Sequence, residues 1–101
     1  MSKNKKARDI TKKLKALASF PRVSMIKKMV NEGECKVGEM AKELMTDQPS
    51  MSYHMKELID AGIAESVGLK KERSYRLREE NFGNILLEIT GFLLEKDQEY
   101  V

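Results

Sequence analysis

Apolar residues recur along most of this chain at intervals of three and four, the spacing of helices that each bury one stripe. Ile10, Leu14, Leu17 and Ala18 mark the first stripe. Phe20-Pro21 interrupts it, and Pro21 suits the opening of a second helix, where its missing N–H is not needed. Met25, Ile26, Met29 and Val30 are the expected buried set of that helix, and Asn31 and Gly33 supply its stop. Val37, Met40, Ala41, Leu44 and Met45 predict a third helix of about two turns. Thr46-Asp47-Gln48-Pro49 is a turn and a restart, in which Asp47 can cap the next helix and Pro49 fits its first turn. Met51, Met55, Leu58 and Ile59 form the stripe of a fourth helix, which Ala61-Gly62 ends.

The period then changes. Ile63–Val67 alternates, with Ile63, Glu65 and Val67 on one side. Gly68-Leu69-Lys70-Lys71-Glu72 is a charged turn, and Arg73–Arg78 alternates again with Tyr75 and Leu77 on its apolar side. This pattern predicts a β-hairpin. A last helix is expected from Glu79 to Glu95 or beyond. The fold class is therefore mainly α with a small β-hairpin (α+β). The third and fourth helices, joined by a short turn, have helix-turn-helix geometry. A hairpin directly after them gives a winged helix-turn-helix of five helices plus wing. Residues 1–9 are expected to form a basic N-terminal arm, 10–95 the domain with dimerising first and last helices, and 96–101 an acidic tail.

Composition narrows the function. The chain has 101 residues, room for one domain, with 41% apolar residues and 35% charged ones. No apolar run approaches the ~18 residues of a membrane span, and the Lys-rich start is not followed by the apolar stretch of a secretory signal. A soluble, cytoplasmic chain is expected. One Cys and one His leave neither a disulfide nor a nucleophile–base pair, and no Gly-rich phosphate loop is present, so an enzyme is not expected. The net charge of +3 is unevenly spread: residues 1–15 carry +6 and 79–101 carry −5. A basic N-terminal segment suits nucleic acid.

At about 100° per residue, the apolar stripe of the fourth helix leaves Tyr53 at the centre of the opposite face. Pro49, Ser50 and Lys56 share that face and Ser52 flanks it. Recognition helices read base edges from near their N-terminus. Gln48, Pro49, Ser50, Ser52 and Tyr53 are thus candidates for the groove, Lys56 for a phosphate, and Lys70, Lys71 and Arg73 for contacts from the wing. His54, on the boundary of the stripe, reads as a packed residue rather than a metal or catalytic group.

Four segments resemble the ArsR/SmtB winged-helix repressors. Leu14–Val30, LKALASFPRVSMIKKMV, is similar to their opening LKALADPTRLRILRLL, and Val37–Leu44, VGEMAKEL, to their first helix-turn-helix helix. Asp47–Ala64, DQPSMSYHMKELIDAGIA, resembles their recognition segment SQSTVSHHLKVLREAGLV, and Ser74–Leu77, SYRL, the end of their wing. Phe20-Pro21 in place of Asp-Pro, and Tyr53 in place of a His, are departures. The resemblance implies a homodimeric transcriptional regulator, acting as a repressor, that binds double-stranded operator DNA with inverted-repeat symmetry. It also bears on metals, because Lys36 and Gly38 stand where many relatives carry a Cys-x-Cys. The last helix has no His, so no metal site and no cofactor are expected. Cys35 reads first as a small buried hydrophobe.

From Ile85 to Leu94, apolar residues cover most of the last helix's circumference, more than one buried stripe needs. Ile10, Leu14, Ile85, Leu87, Ile89, Phe92 and Leu94 are therefore the expected dimer interface. The alternative is a winged-helix protein-interaction module that does not bind DNA. It is favoured by the charge of only +1 across residues 47–78.

Overall fold

The computed structural model describes residues 2–69 and 73–96. Its helices are α1 (Ser2–Leu17), α2 (Phe20–Glu32), α3 (Val37–Glu43), α4 (Gln48–Asp60) and α5 (Glu79–Leu94), and its strands β1 (Ala64–Val67) and β2 (Ser74–Leu77) lie between α4 and α5. This is the expected winged helix-turn-helix. α1 starts earlier than its apolar stripe, so the residues of the expected arm are helical from Ser2 onward.

The helix boundaries follow from local chemistry. Ser19 caps α2 by accepting a hydrogen bond from the Arg22 main-chain N–H at 3.3 Å, with Pro21 in the first turn. Met25 and Met29 face the core, but Val30 is 46% exposed, because the narrow buried stripe runs through the two methionines. At the start of α3 the Glu39 carboxylate accepts from the Lys36 N–H at 3.3 Å. At its end, Thr46 N–H donates to Ala41 O at 3.0 Å and Met45 N–H to Lys42 O at 3.2 Å. This paired closure puts the residue just past the helix into the left-handed region. That residue is Met45, at φ 54° and 92% exposed. Met45 is thus not part of the buried α3 stripe; the turn throws its side chain into solvent. α4 closes in the same way through Gly62, at φ 79°, with Ile63 N–H donating to Leu58 O at 2.9 Å. Asn81 donates to the Gly62 carbonyl at 2.6 Å, so a side chain at Gly62 would also strike Asn81.

The core is filled largely by methionine. Met25, Met29, Met40, Met51 and Met55 are all buried to within 1%, together with Leu58 and Ile63. Ile59 lies at the rim of the α4 stripe and is exposed. Flexible thioethers suit the irregular gaps between packed helices.

β1 and β2 pair antiparallel, Ala64 opposite Leu77 and Ser66 opposite Tyr75. Glu65 and Val67 instead share a face with Arg76 and Ser74, and Arg76 closes an ion pair on Glu65 at 2.7 Å. The apolar face of β1 is therefore Ala64's; Ile63 is buried just before the strand. Cys35 adds a third rung: its N–H donates to Tyr75 O at 2.9 Å and its carbonyl accepts from Tyr75 N–H at 2.8 Å. The wing is thereby tied to the α2–α3 connection.

α1 and α5 lie together at the edge of the domain. Glu88 of α5 accepts from Lys6 Nζ at 2.6 Å and also from Lys13 Nζ, and these two bonds hold its carboxyl at about 2. Of the expected dimer residues, Ile10, Ile85 and Ile89 are buried within the chain, where α1 and α5 close the core. They are not free to meet a partner. Phe92 is half-buried against the core, while Leu14, Leu87 and Leu94 are exposed.

Candidate nucleic-acid interface

α3 and α4 are separated only by Leu44, Met45, Thr46 and Asp47. Asp47 fixes where α4 begins. Its Oδ1 accepts from the Ser50 N–H and its Oδ2 from the Ser50 hydroxyl, both at 2.8 Å. Those bonds hold the Asp47 carboxyl below its ordinary range. The Ser50 hydroxyl is thus committed to the cap and shapes the helix start.

Past this cap, a broad groove of about 780 Å³ opens between α3, the first turns of α4 and the base of the wing. Gln48 and Ser52 line it from α4, and Arg73 and Tyr75 from the hairpin. Lys36, Lys42 and Thr46 line it from α3 and its flanks. Gly38 faces Gln48 across the groove: a Cβ there would lie 3.7 Å from Gln48 Oε1, in ordinary contact. Three of the residues expected at the interface, Gln48, Ser52 and Arg73, are brought together here. Pro49, Tyr53 and Lys56 are exposed on the outer side of α4, with Tyr53 at 57%. Lys56 is paired with Asp60 at 2.8 Å. Lys70 and Lys71 lie outside the described residues.

Lys36, Lys42 and Thr46 were not legible as site residues from α4's pattern. The signal that could have found them is the helix-turn-helix itself, whose first helix crosses the backbone.

His54 packs as expected. Arg22 donates from Nη1 to His54 Nδ1 at 2.9 Å, and burial followed by the Arg22 charge lowers its pKa. Its ring meets that of Tyr53 edge-on, with centroids 5.4 Å apart.

Residues 21–66, from the start of α2 into β1, match the model of the arsR family of bacterial regulatory proteins. The chain carries a winged helix-turn-helix, and its helix-turn-helix segment is similar to that family's. Among solved structures it is similar to HlyU from Vibrio cholerae N16961, with 26% identity over 86% of this chain and 92% of that one, at a TM-score of 0.65. It is also similar to an ArsR-like transcriptional regulator from Rhodococcus sp. RHA1, with 20% identity over 84% and 81% of the two chains and a TM-score of 0.69. A third is Mb0332 from Mycobacterium bovis, described as a homodimeric winged helix-turn-helix DNA-binding domain, with 18% identity over 89% and 84% and a TM-score of 0.67. No curated protein matches the chain. ArsR-type folds are those of transcriptional regulators, which are not enzymes. Among the described residues, no helix is long and apolar enough to cross a membrane, and no three His, Cys, Asp or Glu side chains gather to hold a metal ion.

Proposed function

We infer that the chain is a homodimeric, sequence-specific DNA-binding transcriptional repressor that acts in the cytoplasm without a metal. The observation that carries this reading is the groove at the start of α4. Planar and hydroxyl groups (Gln48, Ser52, Thr46) sit there beside cations (Lys36, Lys42, Arg73). Hydrogen-bonding side chains suit base edges and cations suit phosphates. Tyr53 extends the reading surface along the outer face of α4. Two copies would meet through the outer face of α5, where Leu86, Leu87, Leu93 and Leu94 are 41–80% exposed around Thr90. The Thr90 hydroxyl donates back to the helix's own carbonyls, Leu86 O at 3.1 Å and Leu87 O at 3.2 Å, which leaves that face apolar. A two-fold dimer presents two α4 helices, so the operator is an inverted repeat with half-sites roughly 34 Å apart.

A second reading has one observation in its favour. Lys56 is paired with Asp60 and Arg76 with Glu65, which leaves the helix-plus-wing face little surplus charge and would suit a protein partner. Selection from a random duplex pool separates the two. A DNA-binding regulator enriches an inverted repeat; a protein-interaction module enriches nothing.

A further inference from the structure

α1 divides its cations between two faces. Lys6 and Lys13 close on Glu88 of α5. Lys5, Arg8, Lys12 and Lys15 are all exposed and follow one another at intervals of three, four and three residues. At about 100° per residue they fall within a strip about 80° wide, on the side away from buried Ile10. The row is about 15 Å long, with a cation roughly every 5 Å. Among the described residues, none of the four is in an ion pair.

Asp9, four residues after Lys5 and three before Lys12, is the one acid of α1 beside this row, so four cations face one carboxylate. Like charges three and four residues apart on a helix repel. Cations near a helix N-terminus also oppose its dipole, and the first turn of α1 holds no acid. Lys15 suits the C-terminal end of the dipole, but Lys5 and Arg8 do not suit the N-terminal end, and the row as a whole attracts an external anion.

The row ends beside the recognition helix. Arg22 donates to Ala16 O at 2.7 Å and Lys15 O at 3.3 Å, and the same guanidinium donates to His54 Nδ1 at 2.9 Å. The ring of His54 in turn meets Tyr53. The main chain at the end of α1 is thus joined through Arg22 and His54 to Tyr53 on the outward face of α4.

We propose that Lys5, Arg8, Lys12 and Lys15 form a second phosphate-holding surface for the duplex that α4 reads. The inference rests on the DNA-binding reading above. A duplex carries one charge per about 1.7 Å of axis, so an evenly spaced row of cations is matched along its whole length. Such contacts hold the backbone and carry no sequence information.

The test compares the full chain with its Lys5→Gln/Arg8→Gln/Lys12→Gln/Lys15→Gln variant. Affinity is measured from low to moderate salt on a duplex obtained by selection and on an unrelated duplex. Glutamine favours helix, and circular dichroism and sedimentation check fold and assembly. The expected result is affinity at least about tenfold weaker on both duplexes, with unchanged preference and a salt slope smaller by about 0.9 per lost phosphate contact. An unchanged slope in a folded variant that still prefers the selected duplex overturns the α1 surface and leaves the DNA-binding reading intact. Loss of self-association with an unchanged slope overturns it too, and makes the acidic segment of a second copy the occupant. Wild-type protein that binds neither duplex overturns the DNA-binding reading itself.

Discussion

Arg22 and His54, 32 residues apart, are joined by a 2.9 Å hydrogen bond that fixes the protonation of the imidazole. Arginine only donates, so Nδ1 of His54 accepts and the ring is neutral with its proton on Nε2. Burial first, and the Arg22 charge second, lower the His54 pKa from 6.5. Because the folded state disfavours the charged ring, this contribution to stability is present above the unfolded value. It is lost as pH falls below about 6.5. Melting temperature should therefore decline from pH 7.5 to 5.5 in the wild type. It should decline less in His54→Gln, whose amide oxygen still accepts from Arg22 and does not titrate. Equal declines would show that the bond plays no part.

Met45 supplies a prediction of opposite sign. It holds a left-handed conformation at φ 54° with its side chain 92% exposed, so it bears backbone strain and contributes little packing. Met45→Gly should stabilise the chain by about 0.5–1 kcal/mol, the strain relieved less the entropy of a freer unfolded chain. Met45→Ala should be close to neutral. Chemical denaturation of the two variants checks both signs.

The same residue shows why part of the fold was hidden in the sequence. Four apolar residues at helical spacing predict α3 correctly, and Met45 continues their pattern. Only the paired closure at Thr46 and Met45 decides that the helix ends before it, and most chains would mark that turn with glycine, as Gly62 does after α4. The stripes located every helix because a buried face must repeat with the helical turn. The fate of apolar residues beyond one stripe is set by packing between elements. Ile85 and Leu87 are equally apolar in sequence, yet one is 7% exposed and the other 70%. At the site, Gln48, Ser52 and Arg73 were legible from the α4 face and the hairpin. Lys36 and Lys42 enter only through the packing of α3 against the start of α4, which the α4 pattern does not encode.

Cys35 should be inert in the folded chain. It is 1% exposed, and burial first, then the nearby Glu32 carboxylate, push its thiol pKa up. Thiol reagents should label it only as fast as the chain opens, and zinc, cadmium or arsenite should leave DNA binding unchanged. Cys35→Ser places a hydroxyl in a buried site within reach of the Glu32 carboxylate, at a cost of about 1 kcal/mol, without altering affinity for DNA. Rapid labelling under native conditions, or release from DNA by peroxide in the wild type alone, would contradict this.

The exposed α5 face makes its own prediction. Leu87 and Leu94 are 70% and 80% exposed in the single chain, so acidic substitutions there leave the fold intact. Leu87→Glu/Leu94→Glu should sediment as a folded monomer at micromolar concentration, where the wild type sediments as a dimer. A wild-type monomer would remove the two-fold operator from the proposal.

The most direct measurement of how DNA is read is the salt-dependent affinity of Tyr53→Ala, Gln48→Ala, Lys42→Gln and Arg73→Gln on a selected duplex and on single-base variants of it. The α4 changes should lose discrimination at particular base pairs, about 1–3 kcal/mol for each base contact removed. Lys42→Gln and Arg73→Gln should weaken all duplexes alike and lower the salt slope by about 0.9 each. Wild-type protein that binds every duplex equally, with the α4 variants indistinguishable from it, would contradict sequence-specific reading by this helix.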